Sequence, residues 1–252
     1  MSVAQSDPRT GSTPLGVSKD DIFQVLGGGQ ADFESPLGGL SPDDLALLYA
    51  YWNQLGHVKE LVEAFDQHLS GCNIEKPIVI DLGCGPFTGG LAIASALEPP
   101  NGFTYIGMDR ASAMRRLGER LAVATIKRRG IEINRIWSPS LAEVEWSEPP
   151  HWRPVIVIVS YLLASPTIDP MLLAAELDAI LKRIGRGPLT LLYTNSVYDD
   201  RNVHFPAFRR ALELMGLTMI KYENGQIETD RSPRRLRYAL FSRKAQDTLE
   251  LV

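Results

Sequence analysis

From Pro77 onward, short unbroken apolar runs alternate with stretches in which apolar residues recur every three or four positions. The runs IVIDLG, TYIGMD (104–109), EINRIW (132–137), VIVIVSY (155–161) and LTLLYTN (189–195) predict five strands. Helices are predicted between them over residues 88–97, 111–129, 169–184 and 205–215. Strands this short and this continuously apolar are covered on both faces, which calls for a parallel sheet wound with helices. The rhythm changes after Gly216. There TMIKYE and RLRYALFSR follow one another with no helix between them, joined by NGQIETDRSPR, and so predict an antiparallel hairpin. The expected fold is α/β: a doubly wound, mostly parallel seven-stranded sheet with an antiparallel terminal hairpin and a helical N-terminal extension.

The extension has its own pattern. Residues 1–16 are polar, rich in Gly, Pro and Ser and without period, which reads as a flexible tail. LGGGQADFESPLGG (26–39) reads as a loop. In SPDDLALLYAYWNQL, Ser41 suits the helix cap, Pro42 the first turn, and Asp43 and Asp44 the positive end of the helix dipole. A further helix is expected over 57–69, where Val58, Leu61, Val62, Phe65 and Leu69 share one face. The organisation is therefore a tail (1–16), a helical extension or lid (17–73) and an α/β domain (74–252).

Composition narrows the function classes. With 252 residues, 44% apolar, 22% charged and a net charge of −4, the chain reads as a soluble globule without the global positive charge of a nucleic-acid binder. Basic clusters at Lys127 to Arg129, Arg209–Arg210 and Arg234, Arg235 and Arg237 are local, and an RNA or acidic protein contact at the last of them stays open. No apolar leader opens the chain, and the longest apolar run (155–164) is too short to cross a bilayer. Cys72 and Cys84 lack metal-type spacing and read as reduced thiols of a cytoplasmic protein. His57, His68 and His151 show no ligand spacing, so no metal site is expected.

The chemistry-bearing stretch is IVIDLGCGPFTGGLAIASAL (78–97): a strand ending in Asp81, a turn through Gly83, Cys84 and Gly85, then a helix. Such a turn presents backbone amides and a helix N-terminus at the carboxyl edge of the sheet, where open α/β folds bind ligands. The second strand ends in Asp109, a carboxylate placed to accept two ribose hydroxyls. Three readings compete: a dinucleotide, another nucleoside-bearing ligand, and an empty structural turn. The dinucleotide pattern G-x-G-x-x-G lacks its third glycine, since Phe87 and Thr88 follow Pro86. Asp81 would also repel a pyrophosphate, whereas it can orient a ligand with an ammonium tail.

On Asp81-x-Gly83-x-Gly85 with Asp109, and on the final hairpin, residues 74–243 resemble the class I S-adenosylmethionine-dependent methyltransferases. The resemblance implies S-adenosylmethionine as cofactor, with Asp81, Gly83, Cys84 and Gly85 at its methionine end, Asp109 and Arg110 at the ribose, Ser138 or Ser140 near the adenine and Ser160 beside the methyl group. Phe87 departs from the family's frequent third glycine. The absence of an N-P-P-Y motif and of a Pro-Cys pair argues against methylation of a nucleic-acid amino group or of a pyrimidine carbon, and an oxygen or nitrogen acceptor of unknown substrate is expected.

Around the expected acceptor side, Tyr161 ends the fourth strand, and Asn195, Asp199 and His204 follow the fifth. Tyr161, Asp199 and His204 are the candidates for acid–base work, and Tyr49, Trp52, Tyr161 and Asn195 for substrate contact. Each also has a plain structural reading, as core aromatic, loop holder, solvated carboxylate or helix cap. The substrate class stays open between small molecule, RNA and protein, as does the oligomeric state. Two further readings remain: a non-catalytic methyltransferase-like subunit of a complex, and an NAD(P)-dependent oxidoreductase.

Overall fold

Ile78–Leu82 forms β1, and every residue in it is buried. The computed structural model describes residues 14–68, 74–96, 102–149, 152–227 and 233–245, so Cys72 and His151 lie outside the described residues. Six more strands complete one sheet: β2 (Phe103–Met108), β3 (Ile133–Ser138), β4 (Val155–Ser160), β5 (Leu189–Ser196), β6 (Thr218–Ile227) and β7 (Arg234–Arg243). Their order is β3-β2-β1-β4-β5-β7-β6. Pairings from β3 through β5 are parallel, and β7 runs antiparallel to both β5 and β6. The expected seven-stranded, mostly parallel sheet with its antiparallel hairpin is what the chain forms.

The alternation of side chains along the central strands divides the core into two layers. Ile78, Ile80 and Leu82 of β1 and Val155, Val157 and Val159 of β4 pack with α6 (Pro170–Ile184) and α7 (Phe205–Leu214). Val79, Ile156 and Ile158 pack on the other face with α3 (Leu55–His68) and α4 (Thr88–Ala96). α5 (Ser112–Arg129) joins this second layer through Ala122 and ends at Gly130, whose φ of 67° closes the helix. Both faces of β1 and β4 are thus covered, which is why their sequences lack polar alternation. β6, at the edge, alternates between exposed and half-buried residues, and Lys221 and Glu223 pair on it.

Several boundaries differ from expectation. The hairpin loop is shorter than read, because β6 continues through Asn224, Gly225 and Gln226 to Ile227. Residues 41–55 and 57–69 are not two separate helices: α2 (Pro42–Tyr49) runs through a π-helical turn (Ala50–Gln54) directly into α3. α2 has the expected cap, a reciprocal box in which Ser41 Oγ accepts from Asp44 N and Asp44 accepts from Ser41 N. A short helix not singled out in the sequence, α1 (Lys19–Val25), starts at Ser18 and carries Asp20 and Asp21 in its first turn. The assigned tail also ends earlier. Pro14 is buried, and Leu15 packs beside Ile22, Leu48 and Ala46, so Pro14–Gly16 belong to the N-terminal layer.

α2 lies against α5: Ala46 and Leu47 meet Ala113, Met114 and Leu117. Arg116 and Asp43 add an exposed ion pair at 2.8 Å. The extension is therefore fixed over the end of the sheet that carries the glycine turn.

Candidate functional site

The strand order reverses between β1 and β4, and the glycine turn leaves β1 at that point. Gly83 (φ 67°) and Gly85 (φ 51°) both take the left-handed conformation, which side chains resist. Phe87 shares it, at φ 70°, without being glycine. Its ring is fully buried against Tyr105 at 4.7 Å and Trp137 at 6.1 Å. Gly90 gives the ring its space, since a Cβ there would lie 1.9 Å from Phe87 Cε2. Gly89 likewise admits Asp81, whose Oδ2 would be 2.5 Å from a Cβ. The close helix–strand packing that a third glycine would supply is provided by this Gly89–Gly90 pair.

Asp109 ties the turn to β2. Its Oδ2 accepts from Gly85 N at 3.0 Å and its Oδ1 from Ala111 N at 2.9 Å, while Arg115 donates to its carbonyl. Burial raises its pKa against the pull of these donors and of Arg115 and Arg110. Each carboxylate oxygen keeps acceptor capacity beyond its one N–H bond. Nearby, the hydroxyls of Ser138 and Thr88 are buried without a partner among the described residues, two orphaned polar atoms beside the turn.

Asp81 is tied into the sheet and α4. It is 2% exposed and turned inward, where Oδ2 accepts from Tyr105 Oη at 2.7 Å and Gly89 N at 3.0 Å. Burial pushes its pKa up to about 7 despite those two bonds. Through Oδ2 it anchors the start of α4. Cys84 is also core: its side chain packs with Val79 and Phe87, and burial raises its thiol pKa. Its thiol donates to Gly85 O at 3.3 Å, within the turn itself. Arg110 is exposed and reaches Thr167 at 3.3 Å, and Ser160 Oγ accepts from Thr194 Oγ1 at 2.9 Å.

The turn is covered from the N-terminal side. Gln54 Nε2 donates to Pro86 O at 2.5 Å, and a Cβ on Gly85 would lie 3.6 Å from Tyr49 Cε1. Leu162, just after β4, closes the other side, 2.8 Å from a Cβ on Gly83.

Beside this cover, β4 ends at Tyr161, whose φ of 58° is a strained left-handed value for a non-glycine residue. Tyr161 Oη donates to Glu60 Oε1 at 3.2 Å, and Arg234 Nε pairs with the same oxygen at 3.0 Å. His57 packs its ring 4.2 Å from that of Tyr161, and its Nε2 lies 3.4 Å from Arg234. Glu60 is 0% exposed, and its Oε2 has no partner among the described residues. Burial pushes Glu60 up to about 7 although Arg234 pulls the other way. Burial and Arg234 together hold His57 down, near 3, so its ring is neutral. Burial and the facing Glu60 raise the Tyr161 phenol, which makes it a hydrogen-bond donor and unsuited to act as a base. Glu60 was not singled out from the sequence, Arg234 was noted only as part of a basic cluster, and His57 only for lacking ligand spacing. Their sole signal was a polar position on each of two otherwise apolar faces.

A cavity of 480 Å³ opens beside this cluster, between the extension and the ends of β4, β5 and β7. Tyr49, Trp52, Tyr161 and Asn195 line it. Asn195 is fully hydrogen-bonded, donating to Tyr193 Oη and Arg201 O and accepting from Ser196 N. Asp199 and His204 do not line the cavity. Asp199 is 92% exposed and paired with Arg237 at 2.9 Å, and His204 stands at the N-terminal cap of α7 without a side-chain cap bond. Neither is placed for proton abstraction there. No group of metal-ligating side chains occurs among the described residues, and no helix among them is long and apolar enough to cross a membrane.

No protein-family profile and no curated sequence matches the chain. Among solved structures it superposes on an S-adenosylmethionine-dependent methyltransferase from Clostridium acetobutylicum with a TM-score of 0.52, at 10% identity, over 81% of this chain and 99% of that one. Others include a methyltransferase of the same cofactor class from Methanosarcina mazei (TM-score 0.47, 16% identity, 71% and 97% coverage) and one from Leishmania major (0.47, 14%, 88% and 91%). The chain therefore has the class I S-adenosylmethionine-dependent methyltransferase fold.

Proposed function

We propose that the protein binds S-adenosylmethionine and transfers its methyl group to an oxygen or nitrogen acceptor. One observation carries this reading: two left-handed glycines at the end of β1 are bonded through Gly85 N to Asp109 at the end of β2, at the reversal point of a methyltransferase-type sheet. The residues fit the cofactor. Asp109 retains acceptor capacity for ribose hydroxyls, Gly83 and Gly85 keep side chains off the methionine end, and the orphaned Ser138 hydroxyl stands on the adenine side. When bound, S-adenosylmethionine would supply a methyl group already activated by its sulfonium centre. The chain's own part is positioning and water exclusion, for which Tyr49, Gln54 and Leu162 already close over the turn. Because the donor is pre-activated, no strong base is required, consistent with Asp199 and His204 standing outside the cavity.

Calorimetry with S-adenosylmethionine and with its demethylated product tests the cofactor, and radiolabelled methyl transfer into fractionated RNA, protein and small-molecule pools tests the activity. Heat with NAD or NADP and none with either methyl-cycle ligand would overturn the reading.

A further inference from the structure

The lining of the 480 Å³ cavity has a definite chemical character. Tyr49, Tyr51, Trp52, Tyr161 and Tyr198 contribute aromatic faces from three separate parts of the chain. The charged side chains among its lining are Lys59, Arg201 and Arg234, all cationic; no Asp or Glu lines it. Arg234 is balanced from behind by Glu60 at 3.0 Å. Arg201 is held only loosely, its Nε 3.6 Å from an Asp200 carboxylate that is itself 76% exposed. The polar remainder consists of the neutral imidazole of His57 and of amides and hydroxyls, among them Gln30, Asn53 and Ser196. Gln30 is fixed by donating to Ala164 O at 2.9 Å, so this wall is anchored across the cavity to the segment after β4.

These features select among occupants. Stacked faces favour a flat ring. An excess of cationic over anionic groups favours a negative substituent and disfavours an ammonium. The volume falls within the roughly 300–1,000 Å³ of small-ligand sites. We propose that this cavity binds a small flat aromatic molecule bearing one acidic group, with the ring against Tyr51 and Trp52 and the acid toward Arg201, and that this molecule is the methyl acceptor. Only the acceptor assignment rests on the methyltransferase reading; the binding chemistry stands without it. Aromatic carboxylates and nucleoside monophosphates share this chemistry, and the test separates them.

Because Trp52 lines the cavity, its fluorescence reports occupancy without any cofactor. The purified full chain is titrated with 4-hydroxybenzoate, adenosine monophosphate, tyramine and hexanoate. Saturable quenching by 4-hydroxybenzoate or by adenosine monophosphate is expected, and the tighter of the two names the acid as carboxylate or phosphate. Tyramine, which keeps the ring and reverses the charge, and hexanoate, which keeps the acid and drops the ring, should each bind at least about tenfold more weakly. Trp52→Phe should abolish the quenching while calorimetry still detects binding. Arg201→Gln should weaken the acid about tenfold with the melting temperature unchanged. Tyramine binding as tightly as the acids, saturation by none of the probes, or an Arg201→Gln affinity equal to the parent would overturn the proposal. A chain that binds the aromatic acid but no S-adenosylmethionine would sink the methyltransferase reading and leave the cavity assignment standing.

Discussion

Phe87 and Gly90 show how single residues set the shape of the turn. A left-handed phenylalanine persists because its ring is held by Tyr105 and Trp137 and seated on a glycine. Gly90→Ala should therefore cost about 1–3 kcal/mol through overpacking, read by urea denaturation, because neither the ring nor the helix has room to withdraw. Asp109→Ala has two consequences. It removes the proposed ribose acceptor, which predicts a loss of one to two orders of magnitude in S-adenosylmethionine affinity by calorimetry. It also leaves Gly85 N and Ala111 N without their acceptor, so the variant should melt below the parent. Asp81, Gly83, Gly85 and Asp109 were legible in the sequence because the turn is a local, glycine-dictated pattern. The inward rotation of Asp81 was not, since it depends on Tyr105, a residue on the neighbouring strand that looks like ordinary core. Glu60, His57 and Arg234 were illegible for the same reason on a larger scale: nothing local marks residues that meet only when α3 and β7 are both in place.

Among the elements, the strands were read almost to their ends because continuous apolar runs leave one structural solution. The extension was read less well. Its capping signals were plain at Ser41, yet the π-helical turn at Ala50–Gln54 is invisible to a period of three and four, because it shifts the register of the aromatics on either side. That turn brings Tyr49 and Gln54 together onto the glycine turn. α1 was missed although Ser18, Asp20 and Asp21 form a serviceable start, because seven residues are too few to show a face. The capping box makes a checkable contribution. Ser41→Ala should lower stability by about 1 kcal/mol, and hydrogen exchange should speed up first in the amides of the opening turn of α2.

For the whole molecule, two buried carboxyls set an unusual pH dependence. Glu60 and Asp81 both titrate near 7 in the folded state, raised by burial from ordinary carboxylate values. Between the unfolded values and 7 the folded state holds more protons than the unfolded one, so their stabilisation is full at low pH and is lost as pH rises through about 7. His57, depressed to near 3, acts in the opposite sense below its unfolded value. Comparing Glu60→Gln with the parent by denaturation from pH 5 to 8 isolates one contribution: the parent should lose stability relative to the variant as pH rises. A constant difference would mean that Glu60 is ionised throughout. The insertion of β7 between β5 and β6 also gives the protein a timetable. During synthesis β6 emerges before β7 but has no place in the sheet without it, because only β7 pairs with β5. Until β7 arrives, β5 offers a bare edge and Glu60 lies without its guanidinium partner. Arg234 and His57, 177 positions apart, meet when that last strand slots in, so the nascent chain closes its aggregation-prone edge and completes its site in a single event.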